Sequence, residues 1–265
     1  IDVHDHFAMR WRELTGERLE RPTVPGAAGD QTVQVVRTIS DGMYDGVRGD
    51  FRILESYVRA IERAERFIYL ENQFLWAPEI VRRLADKLRD PPCEEFRVVI
   101  VLPSRANNGQ DDTSGQLGVL VGADDDAGRV LAATIRSLSG HRDDRLYVHA
   151  KVGIVDDRWL TVGSANLNAH SLLNDTEMNV VTDDARLARD TRVRLWSEHL
   201  GVDPATIEGE DPCATVDERW RPIAFEQLER RRAGQDPTHR LLALPGLSRR
   251  SHRLLGPLIG LIDDG

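Results

Sequence analysis

The sequence predicts an α/β fold. Segments with the two-residue period of a strand alternate with segments of helical period. One of them, FRVVIVLP at 96–103, is a near-continuous apolar run of the kind a strand buried on both faces carries. Such alternation builds a layered domain around a central sheet. At 265 residues, 40% hydrophobic and 30% charged, the chain can form one large domain with a full core, or one domain plus a tail.

Val3, Phe7, Trp11 and Leu14 fall at helical spacing, so residues 2–15 are expected to form an amphipathic helix ending at Gly16. The chain opens at Ile1 inside that helix, with no signal peptide. This reads as a fragment whose upstream part, with any targeting region, is absent. Residues 20–30 are a Pro/Gly-rich linker. VQVVRTIS at 33–40 alternates as a strand does, and 41–50 reads as a loop. Ile53, Leu54, Tyr57, Val58 and Ile61 stripe a helix over 51–65. Strand FIYLEN follows, then a helix over 79–89 and the buried strand at 96–103. Residues 104–126 are mostly polar with a short apolar island. They read as a long loop, either a substrate-binding loop or a solvated excursion. A helix is expected over 127–139, strands at about 146–156 and 159–164, a strand in EMNVVTD, and a helix over 184–200.

From 203 the character changes. Pro204, Pro212, Pro222, Pro237, Pro245 and Pro257 are expected to break regular structure. The leucine- and arginine-rich stretch from Leu241 to Ile262 either packs on the preceding domain or lies on a lipid surface. The formal charge of −9 argues against non-specific nucleic-acid binding, which needs a basic surface, though a local basic cleft would override it. Cys93 and Cys213 sit in no metal or redox spacing and read as ordinary reduced residues. The run Asp124, Asp125, Asp126 lacks the ligand spacing of a calcium loop and reads as a cap or solvated turn, so no metal site is expected.

The chemistry concentrates in YVHAKVGIVDDRWLTVGSANLN at 147–168. It places His149, Lys151, Asp156, Gly163, Ser164 and Asn166 in the spacing H-x-K-x4-D-x6-G-S-x-N. A chance match to six such positions has a probability on the order of 10^-6 to 10^-5. In a strand, His149 and Lys151 point to the same face. That face then carries an imidazole that titrates near neutrality beside a lasting positive charge, a pair suited to an anionic phosphoester. Asp156 follows Lys151 by an odd step, so it falls on the other face or in the turn before Trp159 and reads as structural.

The stretch resembles the HKD motif of the phospholipase D superfamily. RFIYLENQFLW at 66–76 resembles the strand before the second HKD motif of phospholipases D. NDTEMNVV at 174–181 resembles the acidic strand after it, and LWSEHLG at 195–201 the helix that follows. The fold implied is a repeat of that family: a mixed, mostly parallel sheet with helices on both faces, followed here by an irregular C-terminal extension. The division implied is 1–30, the end of a preceding repeat plus linker; 31–202, a domain with one HKD motif; and 203–265, the extension.

In that family two HKD motifs meet across a pseudo-twofold axis, one histidine forms a phosphohistidine, and no metal or other cofactor is needed. The resemblance makes His149 the acid/base, with nucleophile as the alternative. It makes Lys151 and Asn166 phosphate ligands, with Ser164 assisting. It gives Glu177 the task of orienting a histidine, usually that of the opposite motif. Gly163 is expected to permit close backbone approach under the bound group. Glu71, Asn72 and Gln73 either line the cleft or satisfy backbone groups. No other histidine (His4, His6, His141, His170, His199, His239 or His252) has a lysine two residues on, so this chain carries half a catalytic centre. The expected partners are a phospholipid at a membrane surface and a second HKD half, either upstream in the same protein or in a second copy; nucleic acid is not expected. A cytoplasmic or peripheral-membrane location is favoured. The reaction implied is phospholipid hydrolysis or phosphatidyl transfer. A cardiolipin synthase-like transferase, an HKD nuclease and a non-catalytic pairing half are the alternatives.

Overall fold

The structure, a computed structural model, describes residues 1–24, 26–104, 110–138 and 146–244. Its strands are β1 (Gln34–Ile39), β2 (Asp50–Phe51), β3 (Phe67–Asn72), β4 (Arg97–Val101), β5 (Val130–Ile135), β6 (Lys151–Val155), β7 (Trp159–Gly163), β8 (Glu177–Thr182) and β9 (Leu241–Ala243). Among the described residues they form one sheet in the order β2-β1-β8-β7-β6-β3-β4-β5-β9. The mixed α/β class is the one expected. The parallel part, however, is confined to β3-β4-β5, and the other six pairings are antiparallel. The reason lies in the connections. Helices cross between β3, β4 and β5, whereas β6 and β7 are joined by the tight turn Asp156–Arg158, which reverses the chain.

Helices α2 (Arg52–Arg63), α3 (Pro78–Arg89) and α4 (Gln110–Asp124) cover one face, and α5 (Ala185–Leu200), α6 (Pro204–Glu208), α7 (Pro212–Thr215) and α8 (Arg221–Arg232) the other. The two-residue period of the central strands divides their side chains between two cores. Ile68, Leu70, Val98 and Ile100 pack with Tyr57, Ile61, Leu84 and Leu120. Phe67, Tyr69, Val99 and Val101 pack with Trp196, Leu200, Trp220 and Leu228. Trp196 and Trp220 are fully buried, edge to face at 5.5 Å. Trp159 lies edge-on to Tyr57 at 5.3 Å. These tryptophans serve packing.

Several expectations are corrected. The predicted loop at 104–126 contains α4, whose Leu117 and Leu120 enter the first core; residues 105–109 lie outside the described residues. The predicted helix at 127–139 is instead β5, buried at every position between β4 and β9. Helix α1 (Asp2–Thr15) forms and ends at Gly16, which is left-handed at φ 75°, but its apolar stripe faces outward, with Val3, Phe7 and Leu14 exposed. The extension is not irregular between 203 and 244. Pro204, Pro212 and Pro222 sit in the first turns of helices, where a missing N–H costs nothing, and β9 adds to the sheet beside β5. Most of the Leu/Arg-rich stretch, residues 245–262, lies outside the described residues. No helix among the described residues is long and apolar enough to cross a membrane. Asp124 accepts hydrogen bonds from Arg129 N and Val130 N and so holds the turn between α4 and β5.

Candidate active site

The motif lies at one end of the sheet. Lys151 opens β6 opposite Asn72, the last residue of β3. Gly163 closes β7 opposite Asn179, and Glu177 opens β8. Three chain segments from distant parts of the sequence therefore meet at this rim.

His149 lies just ahead of β6 and is exposed. Val148 packs into the second core, with Ala150 and Val152 partly buried against it. The intervening His149 and Lys151 thus share the opposite side, the side of α2 and α3. Glu177 is on that side too, because Val181, two pairs further along β8, packs against the first core.

Lys151 is buried. Its Nζ donates to the carbonyl of His149 at 3.0 Å and to Gln73 Oε1 at 3.1 Å. Burial pushes the pKa of its ammonium below the ordinary lysine value, and the nearby Glu177 carboxylate pulls it partly back. Gln73 also donates from Nε2 to Tyr147 Oη at 2.7 Å. The Tyr147 and His149 rings lie 6.2 Å apart at 28°.

Glu177 is held by two hydroxyls. Ser164 Oγ donates to its Oε2, and Ser171 Oγ donates to its Oε1 at 2.7 Å. Among the described residues no imidazole hydrogen-bonds Glu177, and no carboxylate hydrogen-bonds His149. Ser164 Oγ also accepts from Met178 N at 3.1 Å, which ties the turn after β7 to β8. The Oδ1 of Asn166 is buried without a hydrogen-bond partner.

Asp156 and Gly163 lie at the two ends of the β6–β7 hairpin, in its turn and at the close of β7. Asp156 sits in the β6–β7 turn with φ 52°. Its carboxylate accepts from the backbone N–H groups of Glu65 (2.6 Å), Arg66 (2.8 Å) and Phe67 (2.7 Å), which fixes the passage from α2 into β3. At Gly163 a Cβ would collide with the side chain and Cα of Asn179 across the strand pair. Asn179 is fully buried, accepts from Ala165 N at 3.2 Å and donates to Thr161 Oγ1 at 3.1 Å. It thereby supports the turn that carries Ser164 and Asn166.

The tripeptide Glu71-Asn72-Gln73 divides by role. Glu71 is buried, accepting from Tyr69 Oη at 2.7 Å and lying 3.0 Å from His199 Nε2, on the second-core side. Asn72 Oδ1 accepts from Phe74 N at 3.1 Å and Leu167 N at 3.2 Å, stitching β3 to the turn after β7. Gln73 alone reaches the motif lysine. Sequence reasoning left Gln73 undecided and passed over Tyr147 and Ser171. One signal for the lysine went unused: of 35 basic residues only Lys87 and Lys151 are lysines.

The family model described as "Cardiolipin synthase, PLD-like domain" matches residues 57–197, just over half of the chain. Phospholipase D A of Dictyostelium discoideum is 29% identical over 77% of this chain and 20% of its own length. Phospholipase D zeta 2 of Arabidopsis thaliana is 28% identical over 77% of this chain and 25% of its own. The chain thus spans about a fifth to a quarter of these curated relatives. Among solved structures, the phospholipase D family member Nuc from Salmonella typhimurium is similar at a TM-score of 0.46 and 21% identity. That match covers 64% of this chain and 93% of Nuc.

Proposed function

The chain belongs to the phospholipase D superfamily, and on that premise we propose that it supplies one HKD half-site of a phosphodiesterase acting on phospholipids. The observation that carries the proposal is the setting of Lys151. A buried ammonium is costly unless it meets acceptors, and here the described residues supply two for its three N–H groups. The third is available to an anionic oxygen, at the rim where His149 is exposed.

In the proposed reaction a histidine nitrogen attacks phosphorus and the P–O bond to the alcohol breaks. The alkoxide leaves with a proton from the second histidine. That histidine then takes a proton from water or an acceptor alcohol, whose oxygen attacks phosphorus and breaks the P–N bond. His149 is assigned the acid/base part, with nucleophile as the alternative. Lys151 and Asn166 hold the phosphoryl oxygens, Asn166 through its amide nitrogen, because an anionic oxygen accepts and cannot donate. Ser164 acts through Glu177, whose carboxylate it anchors. Glu177 is assigned the orientation of a histidine from the opposing half-site. Phosphatidyl transfer is the second reading, favoured by the description of the matching family model.

The test is His149→Ala in protein that contains both half-sites, assayed on phosphatidylcholine and on an alcohol acceptor. Because His149 is exposed, the variant should keep its fold by circular dichroism. It should lose turnover by at least the roughly 10²- to 10⁴-fold that general acid–base catalysis contributes. Activity near wild type would remove the assignment.

A further inference from the structure

We infer that Gln73 and Tyr147 form a polar relay that positions Lys151 for phosphate, with Gln73 as the positioning residue. The inference rests on the reading of Lys151 as a phosphate ligand and adds two residues to it. Hydrogen-bond chemistry fixes the order of the relay. A lysine ammonium has only donors, so the amide oxygen of Gln73 must face Lys151 Nζ, 3.1 Å away. Its amide nitrogen must then face Tyr147, whose phenol oxygen accepts at 2.7 Å. The Tyr147 hydroxyl hydrogen is directed away from Gln73, at a half-exposed side chain whose ring lies beside that of His149.

The physical need for such a device follows from the lysine side chain. Its stem has four rotatable bonds, and an ammonium is a point charge with no preferred fork. Without a second acceptor, Lys151 Nζ would hold, among the described residues, only its hydrogen bond to the His149 carbonyl and could turn about it. Gln73 follows directly on Asn72, which is itself tied to Leu167 N. The anchor for the ammonium and the tether of the turn bearing Asn166 are therefore neighbours in one strand end. A shift of one moves the other.

The experiment uses the lysine scarcity of the chain. Selective 13C/15N-lysine labelling gives two side-chain signals from these 265 residues, Lys87 and Lys151, and Lys87 serves as the internal control. In Gln73→Leu the desolvated ammonium loses an acceptor, so Lys151 should titrate at lower pH than in wild type. In Gln73→Glu it gains an anionic partner and should titrate higher. Tyr147→Phe should move it in the same direction as Gln73→Leu, by less. Opposite shifts from two changes at one position would not arise from a general loss of packing. In the phosphodiesterase assay both Gln73 variants should lose roughly tenfold or more in kcat/KM, Leu by freeing the ammonium and Glu by competing for it.

A Lys151 signal that titrates as in wild type in both Gln73 variants, with the amide spectrum native-like, would overturn the relay even in an active enzyme. Opposite shifts in a protein that contains both half-sites and turns over no phosphodiester would keep the relay and remove the proposed function.

Discussion

Asp156 and His149 belong to one motif and do unlike work. The His149 side chain is exposed at the rim, whereas the Asp156 carboxylate gathers three backbone N–H groups from a segment about ninety residues earlier. Replacing Asp156 by Ala leaves those donors without their charged acceptor and should cost about 2–3 kcal/mol, seen as a lower urea midpoint. Asp156→Asn keeps an acceptor oxygen and tolerates the positive φ of 52°, so its loss should be smaller. Equal midpoints for the two variants would show that the turn does not depend on these bonds. The odd step from Lys151 to Asp156 left two places for it, the other strand face or the turn before Trp159, and it lies in the turn. The spacing of the motif did not reveal why Gly163 is glycine, because the obstructing side chain, Asn179, arrives from the next strand in the sheet. Nor did it separate Glu71, Asn72 and Gln73, whose directions depend on where β3 ends.

At the scale of elements, periodicity and composition placed most segments and missed two. Strand β3, helices α2, α3 and α5 and the β6–β7 hairpin lie close to their expected positions. Helix α4 was hidden by its glycines and aspartates, poor helix formers whose cost is met by packing Leu117 and Leu120 into the first core. Strand β5 was hidden by its alanines. Val130–Ile135, five apolar residues and Thr134 buried on both faces, has no alternation to display. The contact that locks the second helical layer to the motif hairpin was equally invisible. Arg192 of α5 is buried and forms two 2.7 Å hydrogen bonds to Asp157 in the β6–β7 turn, while its guanidinium lies 5.0 Å from the Trp196 ring. Asp157→Ala would strand that guanidinium in the interior and should destabilise the fold by about 3–5 kcal/mol. Replacing both partners, Arg192→Met with Asp157→Ala, should recover part of the loss, since no buried charge remains unpaired. Chemical denaturation of the two single variants and the double variant measures this coupling, and strict additivity would rule it out.

For the molecule as a whole, the open issue is where the second H-x-K comes from, since this chain has one. A second motif in the same polypeptide and a second copy of the chain make different predictions in a mixing experiment. Suppose wild-type and His149→Ala proteins are unfolded together at equal amounts and allowed to refold. If each centre draws one His149 from each of two copies, only wild-type pairs are competent, and activity per total protein should fall to about one quarter of the all-wild-type value. If the centre is completed within one polypeptide, the variant is inert ballast and activity should fall to about one half. Dilution separates the cases a second time, because specific activity declines at low concentration only when copies must pair. The rim geometry supports the need for some partner in either case. Glu177 is braced by Ser164 and Ser171 with no imidazole on it, and His149 has no carboxylate on it, among the described residues. A histidine and a carboxylate that do not serve each other are what two copies of one rim, brought face to face, would exchange. A value of one half together with dilution-independent activity would end the two-copy explanation.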